Sequence, residues 1–308
     1  MFFYRNLVTA KEIGKKDRSI AIGGFDGIHL GHQQILKKLN KEASKKGNHS
    51  LVFSFEPTPK EFFSPLNPPS RLTKFRERYN LIKNYGIHEF FCPNFQTVRD
   101  LGPTEFIKKI LVDGLNVSSV TVGDDFKFAS NRLGTIEDLY IGGEQYGFDV
   151  NVIQSVFKDN DKISSTVIRN SLDAGDLEIS NKMLGRDYSM SGRVVYGQGL
   201  GKKLGFPTAN INLNRIRAPI KGIFAVRVEG LDKIFLDGVA SIGNRPTIGG
   251  NKELLEVYIF DFDKDIYNEL ITIHFIKKIR EEIEYKNLDS LVHQMAKDVD
   301  CAKVILAA

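Results

Sequence analysis

Two histidines three residues apart, His29 and His32, end a stretch rich in glycine: Ile22-Gly23-Gly24-Phe25-Asp26-Gly27-Ile28-His29-Leu30-Gly31-His32. The glycines allow a tight turn and let a ligand approach the main chain closely. A helical pattern begins just beyond, and the first turn of a helix offers unpaired N–H groups and partial positive charge that suit a phosphate. His29 and His32 would add imidazole donors; the competing reading is a helix cap or a core histidine. Zinc usually takes three or four ligands, whereas Cys92 and Cys301 are isolated and His49, His88, His274 and His293 show no ligand spacing. A second candidate is Ile163-Ser164-Ser165-Thr166-Val167-Ile168-Arg169. There the Arg169 guanidinium could grip a polyphosphate bidentately, with the Ser165 and Thr166 hydroxyls beside it. Ser164 or Ser165 could equally be a plain helix cap.

A third group lies further on. Gly197, Gly199 and Gly201 punctuate Gly197-Gln198-Gly199-Leu200-Gly201-Lys202-Lys203, which fits neither a P-loop nor GxGxxG and reads by default as a flexible hairpin. Gly205-Phe206-Pro207-Thr208-Ala209-Asn210 follows. Thr208 offers Mg²⁺ a hard oxygen and Asn210 an amide, although each is commonly a turn residue. Glu256 interrupts the apolar run Leu254-Leu255-Glu256-Val257-Tyr258-Ile259-Phe260. A carboxylate in such a strand is costly unless paired or used, and alternation also permits a solvated face. As a general base it would take the proton of an alcohol attacking a γ-phosphate.

The elements around these residues fall into two textures. Strand patterns at Ser19–Gly24, Leu51–Phe55, Glu89–Cys92, Ser118–Gly123 and Asp149–Gln154 alternate with helical ones. The helices are expected from Gly31 to Gly47 and over Lys74–Tyr85, Thr104–Leu115 and Thr135–Tyr146. Such alternation predicts a Rossmann-like parallel sheet with helices on its faces, and ligands beyond the carboxyl ends of the strands. Residues 57 to 69 hold five of the ten prolines and are expected to form an extended loop, either a flap or a passive connection. From about Arg186 the pattern becomes strands with short turns: Ser191–Tyr196, Ile223–Val228, Ile234–Ala240, Glu253–Phe260 and Leu270–Phe275. These predict an antiparallel barrel or sandwich. A terminal helix with the stripe Leu288, Leu291, Val292, Met295 and Val299 would pack on it. A short helix near Leu177–Met183 precedes the boundary, giving domains of 1–185 and 186–308.

The 308 residues are enough for two cores, and 42% hydrophobic with 26% charged residues is ordinary for a globular protein. The net charge of +5 is mild and suits an anionic small substrate. The Lys37-Lys38, Lys45-Lys46 and Lys277-Lys278 pairs read as solvated faces, and no basic-aromatic stripe points to nucleic acid. Two cysteines make no disulfide framework, Met1–Asn6 shows no signal-peptide core, and no apolar run could span a bilayer. A cytoplasmic, soluble protein with no membrane and no obligate protein partner is the expectation.

The His-x-Gly-His turn resembles the signature of nucleotidylyltransferases, and the whole chain resembles the bifunctional riboflavin kinase/FMN adenylyltransferases, the bacterial FAD synthetases. The first half carries this in Gly24-Phe25-Asp26-Gly27-x-His29-x-Gly31-His32, Phe55-Glu56-Pro57, Val122-Gly123-Asp124-Asp125-Phe126-Lys127-Phe128 and Ser164-Ser165-Thr166-x-Ile168-Arg169. The second carries it in Leu184-Gly185-Arg186, Gly205-Phe206-Pro207-Thr208-Ala209-Asn210, Asn244-Arg245-Pro246-Thr247, Glu256 with Ile259-Phe260-Asp261-Phe262, and Ile279-Arg280-x-Glu282.

The resemblance implies ATP-dependent phosphorylation of riboflavin to FMN in the barrel, then adenylyl transfer from a second ATP to FMN in the first domain, giving FAD and pyrophosphate. Glu256 would activate the ribityl hydroxyl, while Thr208 and Asn210 position Mg²⁺ and the ATP phosphates under Gly197, Gly199 and Gly201. Adenylyl transfer needs no protein nucleophile, because the FMN phosphate attacks the α-phosphorus. His29, His32 and Arg169 would stabilise the developing charge, and Gly24, Phe25, Asp26, Gly31, Ser165 and Thr166 would hold ATP. Glu56 and Asp125 would meet the flavin. Both reactions are expected to need Mg²⁺. Phosphate proximity should favour protonated imidazole, and so weaken adenylyl transfer at alkaline pH.

The chain departs from the family pattern at Thr58, where His is common, and at Ala129, where Gly is usual. Ser241 stands for Asn, Tyr258 for His and Asn268 for Gly. None of these is a residue assigned to catalysis. Two alternatives stand beside the bifunctional reading: an FMN adenylyltransferase with a degenerate flavin-binding barrel, and a non-catalytic flavin sensor or carrier. Retention of Thr208, Asn210 and Glu256 argues against the first, and His29, His32 and Arg169 against the second.

Overall fold

The computed structural model describes every residue except 8–15, 160, 198, 200, 202–203, 214, 216, 232–233, 248–249 and 308, and omits side chains from 244 to 253. Gln198, Leu200, Lys202 and Lys203 of the glycine run, and the side chains of Asn244-Arg245-Pro246-Thr247, therefore lie outside the described set. The chain packs as two compact units, Met1–Pro69 with Phe75–Ser164, and Ser70–Lys74 with Ser165–Ala308.

The first unit is built on six strands: β1 (Phe2–Tyr4), β2 (Arg18–Ile22), β3 (His49–Phe53), β4 (Glu89–Phe91), β5 (Val117–Gly123) and β6 (Asp149–Ile153). They form one parallel sheet in the order β1-β4-β3-β2-β5-β6. All five residues of β2 are buried, as expected of a central strand covered on both faces. One apolar cluster runs through Ile20, Phe53, Val120 and Leu139, and a second through Ala21, Val52, Leu36 and Phe90. Alternate residues of β2 and β3 thus feed opposite faces, which is why their sequences read as continuous apolar runs. Sequence patterning did not reveal β1, whose three residues are too few to show a period.

Helix α1 (Leu30–Lys46) buries Leu36, Leu39 and Ala43 and stops at Gly47, whose φ of 69° is the left-handed cap that favours glycine. The proline-rich segment is a correction: instead of an extended loop it contains helix α2 (Pro59–Phe63). Thr58 caps it, Glu61 completes a capping box, and Pro59 takes the first turn, where its missing N–H costs nothing. Helix α3 (Phe75–Asn84) follows. The expected helix Thr104–Leu115 is α4 (Pro103–Phe106) running into a π-helical stretch, Ile107–Val112. Helix α5 (Ile136–Tyr146) carries a second capping box between Thr135 and Asp138.

A buried polar network closes the sheet at the amino ends of β2, β3 and β4. Glu89, fully buried, accepts from Tyr4 Oη at 2.7 Å and Arg18 Nε at 2.9 Å, and contacts His49 Nδ1 at 2.7 Å. Burial pushes the Glu89 carboxyl up, but the bonds from Tyr4, His49 and Arg18 outweigh it and hold the group below its ordinary value. Burial, then Glu89, push the Tyr4 phenol far up. With the folded carboxyl depressed, its stabilisation is complete above the unfolded carboxyl's titration near 4.3 and is lost as pH falls through the lower folded value. Glu89→Gln should therefore cost about 3 kcal/mol at neutral pH by leaving Arg18 without its carboxylate. Thermal melts of the variant should also show a shallower acid dependence than wild type.

The second unit holds helices α6 (Ser165–Asp173) and α7 (Leu177–Leu184) and a closed barrel. Past a two-stranded hairpin of the first unit, β7 (Phe157–Lys158) with β8 (Asp161–Lys162), the barrel strands are β9 (Tyr188–Val195), β10 (Thr208–Asn212), β11 (Gly222–Glu229), β12 (Leu236–Thr247), β13 (Gly250–Ile259) and β14 (Leu270–Arg280). Their cyclic order is β10-β13-β12-β11-β14-β9, every neighbouring pair antiparallel. Helix α8 (Leu288–Ala307) lies against β11, β12 and β14. Its second half buries Ala302 and Leu306; the predicted stripe residues Leu291, Val292, Met295 and Val299 are half-buried, but Leu288, at the helix start, is exposed.

Candidate active sites

In the first unit the glycine-rich turn joins β2 to α1 at the carboxyl edge of the sheet, where open α/β sheets place ligands. Phe25 (φ 49°), Gly27 (φ 85°) and Ile28 (φ 42°) turn the chain left-handedly. Left-handed backbone is uncommon for Phe and Ile, and both side chains are buried, so packing holds the turn in place. His29 is the N-cap of α1: its Nδ1 accepts the His32 backbone N–H at 3.3 Å. The His29 and His32 rings stack with centroids 3.7 Å apart, and Phe25 packs on His32. A Cβ on Gly31 would stand 3.2 Å from the His29 ring, whereas one on Gly24 would meet nothing. Gly31 therefore makes room for the imidazole, and Gly24 is exposed at the site's surface.

In the neutral ring, a hydrogen bond accepted at Nδ1 leaves the proton on Nε2, which is then a donor.

Beside this turn the unit encloses an apolar cavity of about 680 Å³, lined by Ile22, Phe55, Phe95, Phe106, Phe126 and Phe128 among others. Four cationic side chains, Lys60, Arg99, Lys127 and Arg132, also line it, as does Phe63 of α2. Flat aromatic walls with a cationic rim suit a planar heteroaromatic ring bearing a phosphate. Glu56 and Asp125 do not line this cavity. Glu56 pairs with Arg78 at 2.8 Å, and the exposed Asp125 pairs with Lys162 at 2.8 Å. Asp124 turns the other way, accepting the Ser155 hydroxyl and backbone N–H, which hold its carboxyl below the usual range. The aromatic cavity left little trace in the sequence, because its residues come from many separate loops and elements and share no spacing.

Ser165, Thr166 and Arg169 open α6, which groups with the second unit. Arg169 Nε donates to the Ser70 carbonyl at 2.6 Å, also within that unit.

The barrel site is set by register. Asn210 on β10 is directly opposite Glu256 on β13, and Ser241 on β12 is opposite Glu256 from the other side. Thr208, two residues before Asn210, shares that face. Leu255, Val257 and Ile259 are buried in the core while Glu256 and Tyr258 alternate away from it. Glu256 therefore faces outward, yet into a cavity of about 370 Å³ that α8 walls with Leu291, Met295 and Val299. Thr208, Asn210, Ser241 and Tyr258 line it too.

The glycines belong to this site for a steric reason. A Cβ on Gly197 would overlap the Asn210 amide, and one on Gly201 would overlap the Phe206 carbonyl and lie 3.1 Å from Thr208 Oγ1. Gly197 and Gly201 are thus pressed onto Asn210 and Thr208, a stronger reason for glycine than hairpin flexibility. Gly199, at φ 68°, has open space around its Cβ position. Glu282 accepts from Ser241 Oγ at 3.1 Å. Arg280 grips Asp298 of α8 through Nε (2.9 Å) and Nη2 (2.6 Å), and that hydrogen bonding raises the guanidinium's affinity for its proton. This half-buried fork fastens α8 over the cavity. Asp298 gave no sequence signal, because one aspartate in an amphipathic helix reads as surface.

Among the described residues no three His, Cys, Asp or Glu side chains converge as a metal site. The hard oxygens of Thr208 and Asn210, on one face beside Glu256, do suit Mg²⁺, which commonly takes few protein ligands and completes its shell with water and substrate phosphates.

The FAD synthetase family model matches residues 11–167, and the riboflavin kinase family model matches residues 184–306. The bifunctional riboflavin kinase/FMN adenylyltransferase of Haemophilus influenzae is 40% identical over 286 residues, 92% of this chain and 93% of that protein. The Escherichia coli K12 protein of the same name is 40% identical over 280 residues, 91% and 90% of the two chains. The crystal structure of a macrolide-efflux protein from Streptococcus pneumoniae is 31% identical with a TM-score of 0.80, covering 96% of both chains. Among the described residues of the present chain, no helix is long and apolar enough to cross a membrane.

Proposed function

This chain belongs to the bifunctional riboflavin kinase/FMN adenylyltransferase family, and from that membership we propose how its residues divide the two reactions. The enzyme phosphorylates riboflavin with ATP to FMN, then transfers AMP from a second ATP to FMN, giving FAD and pyrophosphate. Residues 186–308 carry the kinase and 1–185 the adenylyltransferase.

In the kinase, Glu256 is the general base. It takes the proton of the ribityl hydroxyl as that oxygen bonds to the γ-phosphorus and the bond to the β-phosphate oxygen breaks, releasing ADP. The observation that carries this is the Asn210–Glu256–Ser241 register, which puts the carboxylate beside Thr208 and Asn210, against which Gly201 and Gly197 pack. Mg²⁺ held at Thr208 and Asn210 would neutralise charge on the ATP phosphates.

In the adenylyltransferase an FMN phosphate oxygen attacks the α-phosphorus and pyrophosphate leaves. His29 donates from Nε2 and His32 stabilises phosphate charge, so positioning and preorganised donors carry the rate. Gly24, Phe25, Asp26 and Gly31 shape the nucleotide side. The aromatic cavity takes the isoalloxazine and its cationic rim the FMN phosphate. Catalysis is cytoplasmic and needs no protein, membrane or nucleic-acid partner.

Incubation with riboflavin and Mg-ATP, with flavins separated over time, should show FMN first and FAD after it. FAD formed only from supplied FMN would mark the barrel as degenerate, and no turnover from either would leave a flavin-binding protein.

A further inference from the structure

Arg78 is a buried cation that neither reaction uses directly. It sits on α3, the crossover between β3 and β4, and is only 2% exposed. Its Nη1 donates to the Gly24 carbonyl at 3.0 Å and to Ser54 Oγ at 3.3 Å. Its Nη2 donates to the Phe55 carbonyl at 3.3 Å and the Glu56 carboxylate at 2.8 Å, and lies 3.8 Å from Cys92 Sγ. The Phe75 and Phe90 rings flank the guanidinium, each centroid 5.9 Å away. Its buried Nε finds no acceptor among the described residues, an unusual state for an arginine donor. The side chain is therefore held for what its two terminal nitrogens reach.

Those partners share one property. Gly24 follows β2, Ser54 to Glu56 follow β3, and Cys92 follows β4. A single guanidinium thus ties together three strand-end loops at the ligand edge of the sheet. One leads to His29, and another carries Phe55 into the aromatic cavity. Only a planar fork with several donors can serve two carbonyls, a hydroxyl and a carboxylate together; an ammonium is a point charge.

We propose that Arg78 is the positioning residue of adenylyl transfer, setting the nucleotide loop at Gly24 and the flavin loop at Phe55-Glu56 at the spacing the reaction needs. This rests on the first unit being the adenylyltransferase, and wild-type conversion of FMN to FAD checks that reading separately. A displacement of the order of an ångström between reacting groups costs about 100-fold in rate.

The test is steady-state FAD formation from FMN by the full chain carrying Arg78→Met or Arg78→Lys, measured well below each variant's melting temperature. Riboflavin phosphorylation by the same sample serves as internal control. Arg78→Met should lower kcat for FAD formation by about 100-fold and raise KM for FMN, with FMN formation from riboflavin unchanged. Arg78→Lys, which keeps the charge but not the fork, should recover part of that loss. A purely structural role would lower the melting temperature and leave kcat intact in the folded variant, and that result would overturn the proposal. Should Arg78→Met not fold, Glu56→Gln decides, since it loosens only the flavin-side link. It should raise KM for FMN and leave KM for ATP alone; an unchanged KM for FMN would overturn the proposal.

Discussion

Glu256→Gln is expected to cut FMN formation from riboflavin by about 1000-fold while FAD formation from supplied FMN continues at the wild-type rate. The substitution keeps the shape of the side chain and removes only its capacity to take a proton. Glu256 is half-buried on the outward face of β13, with Asn210 and Ser241 opposite, so an amide there can be solvated or hydrogen-bonded and the barrel should remain folded. The loss should fall on kcat, because proton removal occurs only as the hydroxyl attacks, and binding of riboflavin and ATP should change little. Separating flavins after incubation with riboflavin, and in parallel with FMN, reads both activities from one preparation. A kinase rate within about tenfold of wild type would mean that another group, or water, accepts the proton.

The second large effect concerns His29, where the choice of variant matters. His29→Ala would remove both the N-cap and the Nε2 donor, and loss of a cap alone costs about 1 kcal/mol. His29→Asn separates the two roles, because asparagine is a favoured cap whose short side chain leaves no donor at the position of Nε2. FAD formation from FMN should fall by about 100-fold or more, the scale of losing one preorganised donor to a transition-state oxygen. Riboflavin phosphorylation and melting temperature should stay near wild type. An unchanged rate of FAD formation in His29→Asn would show that the Nε2 donor is not used.

The legible parts of this chain were those with a local cause. Leu36, Leu39 and Ala43 followed by Gly47 mark α1 by helical period and a left-handed stop. The apolar runs at Ile20–Ile22 and Leu51–Phe53 mark strands covered on both faces. The turn through His29 announced itself because glycines, histidines and a helix start are consecutive in sequence. Where local signals competed, the reading failed. Thr58-Pro59-Lys60-Glu61 is a capping box with proline in the first helical turn, but the surrounding prolines favoured a loop. β10 escaped because Ala209, Asn210 and Asn212 have low strand preference, and only pairing on both edges, with β13 and β9, makes the segment a strand.

The sequence alone determined which chemistry the chain could carry: the histidine turn, Ser165-Thr166-x-x-Arg169, Thr208-x-Asn210 and Glu256 are side-chain identities at short spacings, and no packing alters them. Tertiary structure decided what those groups face. Glu256 and Asn210 are far apart along the chain and become partners through antiparallel register, and a one-residue slip of β13 would turn Glu256 away from the cavity. The same holds for the walls. Phe55, Phe95, Phe106 and Phe128 are ordinary apolar residues until the strand ends converge and leave a cavity between them. Arg78 reads as a surface charge on an amphipathic helix until the sheet buries it against three loops. Local identity fixes a residue's reactivity, but orientation and desolvation are set by neighbours distant in sequence, and those exist only once the chain has folded.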